Sequence, residues 1–238
     1  ITLVDTTSPE IFVPSDIVAE ATGLSSTVIE LGEANGYDIM GIVSVTEHPP
    51  RFFILGETTI EWTVTDSSGN SASATQTVTI VDTTSPSITA PDSITMEATS
   101  ADSNIVVLGN PVSSDLVDIP SISNNAPDVF PLGETIITWT AVDTSGNSAS
   151  ATQTVTIVDT TSPELTIPGD ITISAFSLEK QVEIGEAETN DLTGSTLTIT
   201  NDAPNTFPLG DTVVTWNVSD EFGNSASSQQ VISVQPCG

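Results

Sequence analysis

The segment Val-Asp-Thr-Thr-Ser-Pro stands at Val4–Pro9, at Val81–Pro86 and at Val158–Pro163, a spacing of 77 residues both times. Self-similarity at a fixed period marks a tandem array and overrides the domain count that length alone would suggest. The repeat divides the chain into 5–81, 82–158 and 159–238, each a domain near the lower size limit for independent stability. Residues 1–4 stand apart. Ile1-Thr2-Leu3-Val4 copies the strand end Val78-Thr79-Ile80-Val81, so it reads as an orphan strand of a preceding domain or as a strand lent to a neighbouring subunit.

Within each unit the pattern is that of strands. Valine, isoleucine and threonine dominate, and no helical period is sustained. Ile60, Trp62 and Val64 alternate, as do Ile137, Trp139 and Ala141, and Val214, Trp216 and Val218. Trp62, Trp139 and Trp216 are therefore expected in the core of each domain. Pro14, Pro91 and Pro168 fall in phase and mark a break in a first strand. Val28–Leu31 and Ile39–Val45 read as strands around a turn at Asn35-Gly36. Gly69-Asn70 and its copies read as hairpin turns whose residues suit positive φ. The last strand, Ser71–Val81, would span roughly 36 Å at about 3.3 Å per residue, enough to cross a small domain. About seven strands per unit predict an all-β fold of tandem immunoglobulin-like sandwiches in an elongated array.

Charge narrows the partners. The chain carries 32 acidic residues against two basic ones, a formal net charge of −30. Nucleic acid and anionic membrane surfaces both require basic patches, so neither is an expected partner, and no apolar run suggests membrane insertion. Divalent cations, a salty medium or a basic partner complement such a surface. Cys237 is the only cysteine, so no disulfide forms within the chain.

Connectivity alone locates the acids. A strand ending at one joint begins at the opposite pole, so Asp143 and Asn147 belong beside Asp82, Asp220 and Asn224 beside Asp159, and Asp66 and Asn70 beside Asp5. Asp38 and Asp115 recur in phase in a loop, with Asp191 one residue off; Glu20 and Glu97 recur on the outer side or edge of an early strand. Clustered carboxylates and amide oxygens suit a hard ion such as Ca2+. The alternative is that each aspartate caps its own turn. Ser174 stands where Glu20 and Glu97 recur, so a site using those glutamates would be weaker in the third unit.

No nucleophile elbow, zinc-protease helix or phosphate loop occurs, and the single histidine, His48, lies outside the repeating frame. Catalysis is not expected. Asn217-Val218-Ser219 is a formal glycosylation acceptor with Asn217 facing outward. Tyr37, Phe52 and Phe53 are the aromatics least accounted for by a core, and so the candidates for stacking on sugar.

Phe130-Pro131-Leu132-Gly133-Glu134-Thr135, Asp143-Thr144-Ser145-Gly146-Asn147 and Val158-Asp159-Thr160-Thr161-Ser162-Pro163, with their copies in the other units, resemble the hyalin repeat (HYR) family. The resemblance implies an immunoglobulin-like sandwich in extracellular arrays that serve adhesion or fibrous surface layers, without catalysis. It also implies a cysteine pair in many members. Here those positions hold Thr, Ser, Ala or Gln. The expected role is a rod-like segment of a cell-surface filament or array, stiffened by calcium at its joints and meeting further copies or domains of the same protein. The alternatives are an adhesin stalk, or carbohydrate-binding modules.

Overall fold

The computed structural model describes residues 3–238, and all regular structure among them is β. Of the orphan-strand segment, Ile1 and Thr2 lie outside the described residues, and Leu3 and Val4 are exposed and outside any strand. The fold is three tandem β-sandwich domains. Packing groups the chain into two compact units to which the middle sandwich contributes in part: Pro111–Asn124 and Thr138–Ala151 belong to the first, Pro91–Asn110 and Asn125–Ile137 to the second.

The first domain contains β1 (Glu10–Phe12), β2 (Ile17–Glu20), β3 (Asn35–Tyr37), β4 (Ile42–Glu47), β5 (Gly56–Asp66) and β6 (Ser71–Val81). One sheet has the order β2-β6-β5-β4 and the other pairs β1 with β3. β2 runs parallel to β6, with Ile17 opposite Val78 and Ala19 opposite Ile80; the β4–β5 and β5–β6 pairs are antiparallel. The second domain repeats this plan with β7 (Ser87–Thr89), β8 (Ile94–Glu97), β9 (Val112–Ser114), β10 (Ser121–Asn124), β11 (Gly133–Val142) and β12 (Ser148–Val158), in the orders β10-β11-β12-β8 and β7-β9. The third contains β13 (Glu164–Thr166), β14 (Ile171–Ala175), β15 (Glu179–Lys180), β16 (Glu188–Asn190), β17 (Thr198–Asn201), β18 (Phe207–Pro208), β19 (Gly210–Ser219) and β20 (Ser225–Pro236). Its sheets are β14-β20-β19-β17, β13-β16 and the small β15-β18 pair.

Alternation on the two long hairpin strands makes the core. Ile60, Trp62 and Val64 on β5 and Gln76, Val78 and Ile80 on β6 are buried, while their neighbours face out. Trp139 and Trp216 are likewise buried. The inward glutamine joins the sheets. Gln76 Oε1 accepts from Trp62 Nε1 at 3.2 Å, and Nε2 donates to the carbonyls of Ser15 at 2.8 Å and Leu31 at 3.1 Å. Gln230 does the same with Trp216, Gly169 and Ile184; Gln153 donates to the carbonyls of Asp92 and Leu108. In a chain without an internal disulfide, this fully bonded amide holds the first and last segments of each domain together.

Several expectations need correction. Val28–Leu31 forms no strand: the Leu31 carbonyl is taken by Gln76, and the only ladder contact nearby is the isolated Thr27–Phe53 bridge. The first domain consequently has six strands among the described residues. Asn35-Gly36 is strand and not turn: Gly36 pairs with Ile11 on β1, and it is glycine because a Cβ there would meet Val64 Cγ1 at 3.1 Å. The turn comes later, where Gly41 N–H donates to the Asp38 carbonyl at 3.2 Å and φ of Gly41 is +86°. In the Asp66–Asn70 turn only Gly69 has positive φ; Asn70 serves through its side chain. Phe53 is 2% exposed and lies in the core, leaving Tyr37 and Phe52 as surface aromatics. No helix among the described residues is long and apolar enough to cross a membrane.

Candidate metal centres

Each domain opens on an aspartate that follows a β-strand end or its sequence equivalent, and the hairpin turn brings a second aspartate to it. After β6 the chain enters Asp82; between β11 and β12 the turn presents Asp143; after β9 the loop presents Asp115. Ligand oxygens of Asp82, Asp115 and Asp143 lie within 4.8 Å of one another. The same is true of Asp5, Asp38 and Asp66, and of Asp159, Asp191 and Asp220. Nine carboxylates are thus gathered in threes, one group at the start of each repeat.

The turn aspartates are fixed by their own hairpins. Asp143 Oδ1 accepts from Asn147 N at 2.8 Å and Oδ2 from Asn147 Nδ2 at 2.8 Å. The same Nδ2 reaches the Asp82 carbonyl at 3.1 Å, so Asn147 ties the turn to the joint. Asn70 repeats this with Asp66 and the Asp5 carbonyl, and Asn224 with Asp220 and the Asp159 carbonyl. Burial pushes the Asp66 and Asp143 carboxyls up, but the hydrogen bonds donated by Asn70 and Asn147 and by the turn amides win, and both are held below the usual aspartate range. Asp191 is also held low, first by the Thr193 hydroxyl. All three therefore stay ionised to a lower pH than an ordinary aspartate does.

At the first two joints the opening aspartate is only half satisfied. Asp82 Oδ1 accepts from Thr84 N at 3.1 Å, whereas Oδ2 is buried without a donor. Asp5 Oδ2 is in the same condition; in the third group Asp159 Oδ2 has a donor, and the bare oxygen is Oδ1 of the loop residue Asp191. A carboxylate oxygen removed from water and left unpaired is costly, and beside two more carboxylates the cost rises. A divalent cation coordinated by those oxygens would relieve both. The donor set, carboxylates with a carbonyl close by, is that of a hard ion.

Glu20 and Glu97 do not join the triads; they brace the joints from the preceding domain. Glu20 Oε1 accepts from Thr83 N at 2.7 Å and Thr84 Oγ1 at 3.1 Å, and Oε2 from Thr83 Oγ1 at 3.0 Å. Glu97 makes the same contacts to Thr160 and Thr161 at 2.7–2.9 Å. The Thr83 and Thr160 amides are the first cause holding these glutamates below their usual range. Ser174 occupies the corresponding register on β14, opposite Gln235.

Two kinds of residue escaped sequence reasoning. Asp118 supplies an additional carboxylate beside the middle triad, its Oδ2 accepting from Thr144 N at 2.8 Å and its Oδ1 buried without a donor. Its counterparts are Gly41 and, with the one-residue shift that also displaces Asp191, Gly194, so periodicity gave no signal. The inward glutamines did repeat, at Gln76, Gln153 and Gln230, and a polar residue in phase with buried Val78 and Ile80 was the available clue. Asn217 is exposed on β19, as an acceptor for glycan requires.

The HYR domain model matches residues 4–80, 81–157 and 158–234. Hyalin of Strongylocentrotus purpuratus is 35% identical over 257 aligned residues, covering 97% of this chain and 21% of that protein. Hyalin of Lytechinus variegatus is 34% identical, covering 97% of this chain and 47% of that protein. The chain thus spans less than half the length of either relative. Among solved structures, mouse cadherin-23 EC22-24 aligns with 97% of this chain and 99% of its own at 13% identity and a TM-score of 0.36. The protocadherin γB4 extracellular domain aligns with 96% of this chain and 49% of its own at 12% identity and a TM-score of 0.38. On the family match, which takes in almost every residue, this chain belongs to the HYR family as three consecutive HYR domains.

Proposed function

We propose that the chain is a structural segment of an extracellular protein, a rod-like stretch of a cell-surface filament or array whose joints are stiffened by calcium. One observation carries this reading: every repeat begins by gathering three aspartates within 4.8 Å, and the joint aspartates Asp5 and Asp82 each leave a buried oxygen without a donor. An ion shared between the joint residue and two loops of the domain that follows would fix the direction in which that domain leaves the joint. Calcium is preferred over magnesium because it tolerates an irregular set of six to eight oxygens, whereas magnesium demands a near-ideal octahedron. The glutamate braces at Thr83–Thr84 and Thr160–Thr161 support the same role, since they restrain the joints from the other side.

The proposed partners are neighbouring copies or further domains of the same protein, with strand addition through Ile1–Val4 as the route of contact. The role is mechanical and not catalytic. A stalk that presents a domain elsewhere is the second reading, favoured by the strong negative charge, which keeps like chains apart. Small-angle scattering at several concentrations, with calcium and then with chelator, tests the proposal. A filament segment gives a long, stiff particle that associates when calcium is present; a stalk gives the same stiff particle without association. An identical, flexible profile in both solutions contradicts both.

A further inference from the structure

The three acidic joints share a plan but differ at the residue two positions after the middle aspartate. That residue is Met40 after Asp38, Val117 after Asp115 and Thr193 after Asp191. Val117 is 2% exposed and belongs to the apolar cluster that includes Ala21, Trp62 and Ile80. Its methyl groups have no proton to offer a carboxylate. In the same joint Asp82, 8% exposed, keeps Oδ2 buried with no donor, and Asp118 adds a further donorless oxygen.

At the third joint the same place is filled differently. Thr193 is 4% exposed, and its hydroxyl donates to Asp159 Oδ2 at 2.8 Å. The hydroxyl also contacts Asp191 Oδ2, which Ser195 Oγ reaches at 3.1 Å. The oxygen left bare on Asp82 is therefore covered on Asp159. A hydroxyl proton between two carboxylates screens their repulsion without any ion. Asp191 Oδ1 stays bare at this joint, but a cation that also takes Asp159 Oδ2 must displace the Thr193 bond, whereas at the Asp82 joint the opening aspartate's own oxygen is already stripped of water and unpaired.

Building on the cation reading above, we infer that the Asp82 joint holds its divalent cation more tightly than the Asp159 joint, and that Thr193 sets the difference. The third joint keeps its shape with little or no ion. The array consequently loses rigidity stepwise as free calcium falls, its third joint releasing the ion first.

Calorimetric titration of the full chain with calcium, beside Thr193→Val and Val117→Thr, tests this. Threonine and valine are close in volume, so the exchange alters chiefly the hydroxyl. The native chain should show a weaker class of site, which Thr193→Val tightens about tenfold, the scale of one hydrogen bond to a charged group. Val117→Thr should weaken one tight site by a similar factor; if that variant unfolds, Thr193→Val alone decides. Equivalent sites in the native chain, or a Thr193→Val chain that binds no more tightly than native, overturn the ranking and leave the cation reading standing. Absence of binding in all three chains overturns the cation reading and the ranking with it.

Discussion

Trp216 donates its indole N–H to Gln230 Oε1 at 3.1 Å, in a core where both residues are buried. Gln230 then donates to the carbonyls of Gly169 and Ile184 at 2.8 and 3.1 Å, reaching the segments that flank β14 and precede β16. Three backbone and ring groups thus depend on one amide. Gln230→Leu keeps the volume and leaves all three unpaired, at an expected cost of about 2–4 kcal/mol. Urea unfolding of the full chain should show an earlier first transition, since the domains need not unfold together. An unmoved transition would mean that water replaces the amide.

Adjacent phenylalanines separate core from surface in the first domain. Phe53 is 2% exposed, while Phe52 is 40% exposed with the Arg51 guanidinium 5.1 Å from its ring centre. Phe53→Ala should destabilise by about 3–5 kcal/mol, and Phe52→Ala by roughly 0.5 kcal/mol or less. Chemical denaturation of the two variants makes the comparison; similar losses would contradict the core assignment.

The glutamate braces predict an acid response. Glu20 and Glu97 have folded pKa values below the ordinary glutamate value of about 4.3. A depressed carboxyl stabilises fully above that unfolded value, and the contribution is lost as pH falls through the lower folded one. Between about pH 4.3 and that folded value, hydrogen exchange at the Thr83 and Thr160 amides should accelerate relative to amides in β5 and β6. Glu97→Gln should show faster exchange at Thr160 at neutral pH, with Thr83 unchanged. Equal protection of Thr160 in both chains would show that the carboxylate does not restrain the joint.

Much of this was legible in the repeat itself. The period alone brings Asp143 to Asp82 and Asp220 to Asp159, because a strand that ends at one joint must start at the other pole. Alternation around Trp62 located the core for the same reason. Periodicity hid what does not recur in phase. Asp191 looked misplaced by one residue, yet Gln230 bonds to Ile184 where Gln76 bonds to Leu31, so a one-residue deletion before Ile184 restores the register. Asp118 has glycine at its equivalents, and Thr193 stands where the other units have Met40 and Val117, so neither could be found by repetition. Asn35-Gly36 misled because its glycine answers a packing contact with Val64, which only the folded chain reveals.

Thermal melting of the full chain in calcium and in chelator, at constant ionic strength, tests the central claim most directly. An ion that binds only the folded joints must raise stability, by about 2.7 kcal/mol at a hundredfold excess over its dissociation constant. The melting temperature should rise with calcium, and Asp82→Asn should reduce the rise. Coincident melting curves in calcium and chelator would contradict cation binding at the joints.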